Sequence, residues 1–125
     1  MRRIRAKDTG PELAVRRIVR RLGFLGYRVH GRDIPGTPDI VWRNQRRAIF
    51  VHGCFWHGHD CKVGLRKPKS HVDYWVPKIE RTRARDAAHR ESLRSMGWRV
   101  LTVWECELRN EAKLESSLLR FLSKR

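Results

Sequence analysis

Between Thr9 and Gly23 apolar residues fall at Val15, Ile18, Val19 and Leu22, the i, i+3, i+4, i+7 spacing that lines one face of a helix. Thr9-Gly-Pro-Glu12 ahead of them has the form of a capping box with proline in the first turn, and Gly23 supplies the stop. The other face carries Arg16, Arg17, Arg20 and Arg21, like charges with no acids to relieve them, which favours a phosphate-facing role. Three β-like runs follow, Tyr27 to His30, Asp39 to Trp42 and Arg47 to His52, the last two joined by the turn-like Arg43-Asn-Gln45 and therefore neighbours.

From His52 to about Asp73 periodicity disappears and Cys, His, Gly and Lys gather, an irregular excursion that needs something other than an apolar face to fix it. Tyr74 to Met96 reads as a long charged helix with Pro77 in its first turn and Gly97 as its stop. Trp98 to Trp104 is a nearly unbroken β-branched and aromatic run, the pattern of a strand covered on both faces and hence central, with both tryptophans in the core. Asn110 then caps a last helix whose stripe is Leu114, Leu118, Phe121 and Leu122. The order is helix, three strands, metal-like loop, helix, strand, helix: one α/β domain over residues 1–125, with no repeat or linker.

Charge narrows the function. The chain has 125 residues, 29 basic against 13 acidic, a net +16, and 40% hydrophobic content with five tryptophans, so a core is affordable but compaction is opposed unless a polyanion neutralises the surface. DNA or RNA is the leading partner class and an acidic membrane surface the lesser one. No apolar run approaches the ~18 residues of a membrane span, and Met1-Arg-Arg-Ile-Arg lacks the apolar stretch of a signal peptide, so a cytoplasmic, nucleoid-associated protein is expected.

Cys54-Phe-Trp-His57-Gly-His59-Asp-Cys61 places two thiols and two imidazoles within eight residues, and Cys106 follows the last strand. Tetrahedral zinc takes S and N ligands, and Cys54, one of the two histidines, Cys61 and Cys106 would use every cysteine in the chain. Alone, Cys106 would read as a buried thiol. Pro38-Asp39 is more often a turn, but here it opens a short apolar strand twelve residues before a second strand, the layout of a nuclease half-motif in which acids hold a divalent metal at a phosphodiester. Val51-His-Gly53 stands where acid-x-lysine is usual, so an imidazole must handle protons.

Pro35-Gly-Thr-Pro-Asp-Ile-Val41, Phe50-Val-His-Gly-Cys-Phe-Trp-His-Gly-His-Asp-Cys61 and Gly97-Trp-Arg-Val-Leu-Thr-Val-Trp-Glu-Cys-Glu107 together resemble the very short patch repair (Vsr) mismatch endonucleases, a likeness running from Met1 through Asp8-Thr and Glu12 to about Leu108. The resemblance implies a restriction-endonuclease-like fold, a mixed central sheet flanked by helices with a zinc-stabilised loop, that nicks one DNA strand beside a T:G mismatch with magnesium. By the same resemblance Asp39 binds magnesium, joined by the Val51 carbonyl, and His52, His57 and Glu12 complete the active site. Cys54, His59, Cys61 and Cys106 match the zinc ligands, which settles by analogy which histidine binds zinc, and Phe55, Trp56 and Trp75 match rings that wedge into the duplex. A wedge costs less at a mismatched step, which converts weak pairing into selectivity. Lys62, Arg66, Lys67 and Lys69 would contact phosphate. The expected partner is mismatched double-stranded DNA, bound by a monomer, with repair proteins as further partners. Two alternatives stand beside this: a zinc-stabilised DNA-binding module that does not cut, and a sequence-specific restriction or homing-type nuclease on the same fold.

Overall fold

The computed structural model describes residues 9–54 and 72–123. Helix α1 spans Gly10–Arg21, and strands β1 (Arg28–Val29), β2 (Ile40–Trp42) and β3 (Arg47–His52) follow; helix α2 (Val72–Ser95) leads into strand β4 (Arg99–Trp104), a 3-10 turn at Glu105–Arg109 and helix α3 (Glu111–Ser123). The Thr9 hydroxyl accepts the Glu12 N–H at 3.4 Å and Asn110 Oδ1 accepts the Lys113 N–H at 3.2 Å, so both expected caps are in place. The loop residues Phe55, Trp56, His57, His59, Cys61, Lys62, Arg66, Lys67 and Lys69 lie outside the described residues.

The strands lie in the order β1-β2-β3-β4, antiparallel across the first two junctions and parallel between β3 and β4, a mixed sheet as expected. On one face Ile40, Trp42, Ile49 and Val103 pack with Val15, Ile18 and Val19 of α1 and Leu114, Leu118 and Leu122 of α3. On the other, Val41 and Phe50 meet Ile34 and Leu93 of α2, with Trp98 and Val100 against them. Three consecutive residues of β2 are buried because the two cores take alternate side chains from opposite faces.

Three local expectations change. Among the described residues β4 is an edge strand, not a central one. Both its faces are covered, Val100 on one side and Leu101 and Val103 on the other, which is what the apolar run reports. No strand among the described residues pairs with its outer edge; Trp98 and Trp104 are half-buried, and Val103 alone is buried in the strand. Helix α2 begins at Val72, which puts Pro77 inside it and past the first turn; its missing N–H leaves the Asp73 carbonyl without that helical donor. The arginine face of α1 is also not without acids to relieve it. Arg16 is buried against Glu12, and Arg21 pairs with Glu115 of α3, leaving Arg17 and Arg20 exposed.

Candidate active site

A cleft of about 450 Å³ opens between the start of α1, the ends of β2 and β3, and the middle of α2. Glu12 comes from α1; Gly36, Thr37 and Asp39 from the approach to β2; Phe50, Val51 and His52 from β3; Arg85, Asp86 and His89 from α2. Sequence-expected Glu12, Asp39, Val51 and His52 therefore meet in one place, although up to forty residues separate Glu12 from His52 (52 − 12 = 40).

Asp39 is fixed through both its main chain and its side chain. Its N–H donates to the Ile49 carbonyl at 3.0 Å, and its carboxylate Oδ2 accepts the Val51 N–H at 2.6 Å. Burial pushes the Asp39 carboxyl up to about 7, and the neighbouring Glu12 carboxylate pushes the same way; the Val51 N–H and the Arg16 guanidinium oppose them. Two carboxylates brought this close repel each other unless a cation joins them.

Around them Arg16 Nη2 lies 3.4 Å from Glu12 Oε2 and 3.3 Å from His30 Nε2. The His30 N–H donates to the Asp39 carbonyl at 3.2 Å, and His30 holds a left-handed φ of 54°. One ligand-type atom from each of Glu12, His30 and Asp39 fits within 4.8 Å of the other two, a donor set of two carboxylates and an imidazole suited to a divalent ion.

His52 is buried at the far side of the cleft, its ring edge-on to Trp104 with centroids 5.3 Å apart and tilted on Phe50 at 5.7 Å. Its Nδ1 stands 3.9 Å from Asp86 Oδ2, an ion-pair separation if the ring is protonated. Gly36 has φ 80°, and a Cβ there would come 2.9 Å from His89 Cβ and 3.0 Å from the Phe50 ring, so the chain passes this wall only because the residue is glycine.

Cys54 and Cys106 leave the same end of the sheet. β3 and β4 pair in parallel with His52 opposite Trp104, so each thiol sits two residues beyond that pair, Cys54 buried and Cys106 half-buried. Trp75 is half-buried at the start of α2, lies outside both cores as the described residues form them, and stacks edge-on with Tyr74 at 4.8 Å while Lys78 Nζ lies over both rings.

His30, Asp86, His89 and the inward role of Arg16 were not foreseen. His30 reads from sequence only as the end of a strand-like run, and Asp86 and His89 as part of a solvated charged helix. Only burial in the fold marks them. The half-buried or buried positions of α2 include Trp75, Ile79, Thr82, Asp86, His89 and Leu93, an unbroken alternation of four and three. The stripe is polar in its middle because that stretch roofs the cleft instead of the core, so apolar periodicity alone cannot find it.

A profile of the family described as DNA mismatch endonuclease Vsr matches residues 1–63. The chain is 50% identical over 122 residues, 98% of its length and 88% of the relative's, to the type II nicking enzyme V.XorIIP of Xanthomonas oryzae pv. oryzae. It is 40% identical over 122 residues to the type II nicking enzyme V.NmeAIP of Neisseria meningitidis, covering 98% of this chain and 86% of that one. It is also 40% identical over 119 residues to the DNA mismatch endonuclease Vsr of Escherichia coli, 95% of this chain and 75% of that one. These matches run through the segments that build the cleft, and the chain belongs to the Vsr DNA mismatch endonuclease family.

Proposed function

We propose that this chain nicks one strand of duplex DNA beside a T:G mismatch by magnesium-dependent phosphodiester hydrolysis, the cutting step of very short patch repair. The observation that carries the reading is the pair Asp39 and Glu12, two carboxyls brought together in the cleft of a protein of net charge +16. Carboxylates so placed disfavour DNA unless they hold a cation that faces its phosphate. Relatives named as a mismatch endonuclease and as nicking enzymes support the substrate and the single-strand outcome.

Asp39, with the Val51 carbonyl and Glu12 beside it, would hold magnesium, which supplies charge compensation for the pentacovalent phosphorus. The oxygen-rich donor set fits that ion. In an extended strand a residue's N–H and C=O face the same neighbour, so the Val51 carbonyl turns toward the side on which Asp39 takes its N–H. His52, steadied by the rings of Phe50 and Trp104 and with Asp86 Oδ2 3.9 Å from its Nδ1, exchanges the proton, since no lysine lines the cleft among the described residues. His57 is the second histidine of the site.

Cys54, His59, Cys61 and Cys106 hold a structural zinc in this reading, and the parallel exit of Cys54 and Cys106 from the sheet supports it. Phe55, Trp56 and Trp75 form the wedge; the position of Trp75 outside both cores supports its part. The protein acts as a monomer on nucleoid DNA in the cytoplasm. No helix among the described residues is long and apolar enough to cross a membrane.

The test is incubation with magnesium and end-labelled duplexes, one carrying T:G and one fully paired. A nick in the T strand of the mismatched duplex alone is expected. Binding without a nick in either would make the protein a DNA-binding module, and equal nicking of a particular paired sequence would make it a sequence-specific nuclease.

A further inference from the structure

His30 was reached by tertiary structure alone, and its surroundings are those of a ligand. A guanidinium donates and never accepts, so the 3.3 Å contact from Arg16 Nη2 requires His30 Nε2 to offer a lone pair. A ring nitrogen with a lone pair turned toward Glu12 and Asp39 is what a metal ligand offers. The backbone supports the same conclusion. The His30 N–H donates to the Asp39 carbonyl at 3.2 Å with His30 at a left-handed φ of 54°, so the two main chains run side by side where the three ligand-type atoms gather. Glu12, His30 and Asp39 each bring one ligand-type atom into a common 4.8 Å radius of reach.

Resting on the reading of Asp39 as the metal-binding acid, we propose that His30 is a further metal ligand, and that Glu12, His30 and Asp39 form a mixed nitrogen and oxygen set that binds Mn2+ more tightly than Mg2+. Magnesium is a hard ion served by oxygen, whereas an imidazole nitrogen favours the first-row transition ions. The one lone pair at His30 Nε2 serves either Arg16 or the metal. Metal binding therefore takes His30 from Arg16, and the guanidinium keeps Glu12 as its partner.

The test uses the whole protein. Mn2+ is titrated and free Mn2+ read by its EPR signal, Mg2+ affinity is obtained by competition, and line broadening by Mn2+ is followed in 15N-histidine spectra. Three variants are compared with the parent: His30→Asn and His30→Gly, both compatible with the left-handed backbone, and Asp39→Asn. The parent should prefer Mn2+, His30→Asn and His30→Gly should lose about tenfold or more in Mn2+ affinity with Mg2+ affinity much less changed, and the His30 ring should broaden first. Their melting temperatures should stay near the parent's. Unchanged Mn2+ affinity in both His30 variants, or a His30 ring that stays sharp at saturation, would overturn the proposal. Mn2+ binding that survives Asp39→Asn but falls on loss of His30 would uphold the imidazole ligand and overturn the assignment of Asp39, so the two readings fail separately.

Discussion

The Asp39 carboxylate accepts the Val51 backbone N–H at 2.6 Å, a side chain standing in for a strand beyond the last paired residue of β2. The ladder between β2 and β3 stops at Ile40 and Ile49, and from there the Asp39 side chain secures the end of β3. Position and chemistry are thus the same contact. Asp39→Asn retains an oxygen for the Val51 N–H and loses the charge, whereas Asp39→Ala loses both. Nicking should fall by about two orders of magnitude or more in each. DNA binding should hold or tighten, since a negative charge near phosphate has gone, and only Asp39→Ala should melt lower. A cutting rate within tenfold of the parent in Asp39→Asn, measured on a T:G duplex, would place the metal elsewhere.

Metal affinity should depend steeply on pH. Burial, reinforced by Glu12, raises the Asp39 carboxyl to about 7 from an ordinary value of 3.8, so below neutrality a proton competes with the ion. Apparent affinity should climb by up to about tenfold per pH unit below 7 and flatten above. Stability without metal runs the other way. A carboxyl whose folded pKa is raised favours the fold while both states are protonated, below about pH 4, and that contribution is lost as pH rises toward 7. Asp39→Asn should flatten both curves over this window. Calorimetric titrations at pH 5.5, 6.5 and 7.5 on the parent and this variant check it; matching slopes in the two proteins would show that another group titrates.

Removal of zinc ligands should act on folding before chemistry. Cys54 and Cys106 emerge side by side from the parallel pair β3 and β4, and a zinc held between them ties the chain after β3 to the sheet. Cys106→Ala, at a half-buried site with little apolar packing to lose, should give sub-stoichiometric zinc and a large fall in melting temperature, since structural zinc contributes on the order of ~10 kcal/mol. Metal analysis of freshly purified parent protein should find one zinc per chain. A parent free of zinc ends this assignment.

Gly36→Ala should disturb the cleft without touching a catalytic group. The new methyl meets His89 Cβ and the Phe50 ring, and the φ of 80° is costly for any L side chain, so a loss of about 1–3 kcal/mol is expected. Because His89 and Asp86 share α2, pushing the helix outward should also lower nicking beyond what the lost folded fraction explains. Chemical denaturation paired with single-turnover nicking on the same sample separates the two effects.

Loss of the wedge should separate selectivity from affinity. Truncating Phe55 and Trp56 together should reduce the T:G to T:A nicking ratio more than nonspecific binding, which comes from basic contacts to phosphate. Core rings would behave differently, costing ~3–5 kcal/mol each and lowering activity on all duplexes in parallel. An unchanged ratio in a destabilised protein would reject the wedge and leave the nuclease standing.

Neighbouring residues fix the elements of the fold and point to part of the cleft. The helix from Thr9 follows from a capping residue and a 3.6-residue apolar period, and the order of strands and helices follows from short runs between turns, all properties of neighbouring residues. Asp39 and His52 are legible in local strings, and Glu12 and Val51 through the family resemblance those strings carry. Tertiary structure alone puts β4 at an edge among the described residues, since an apolar run reports covered faces and says nothing of who pairs with its backbone. It alone turned Arg16 inward and brought His30 beside Asp39, because those contacts cross from α1 to the approach to β2. It also placed Asp86 and His89 over His52 and Gly36. A helix that roofs a polar cleft buries polar residues at the same three- and four-residue steps at which other helices bury leucine, so hydrophobicity carries no trace of that face until the sheet beneath it is in place.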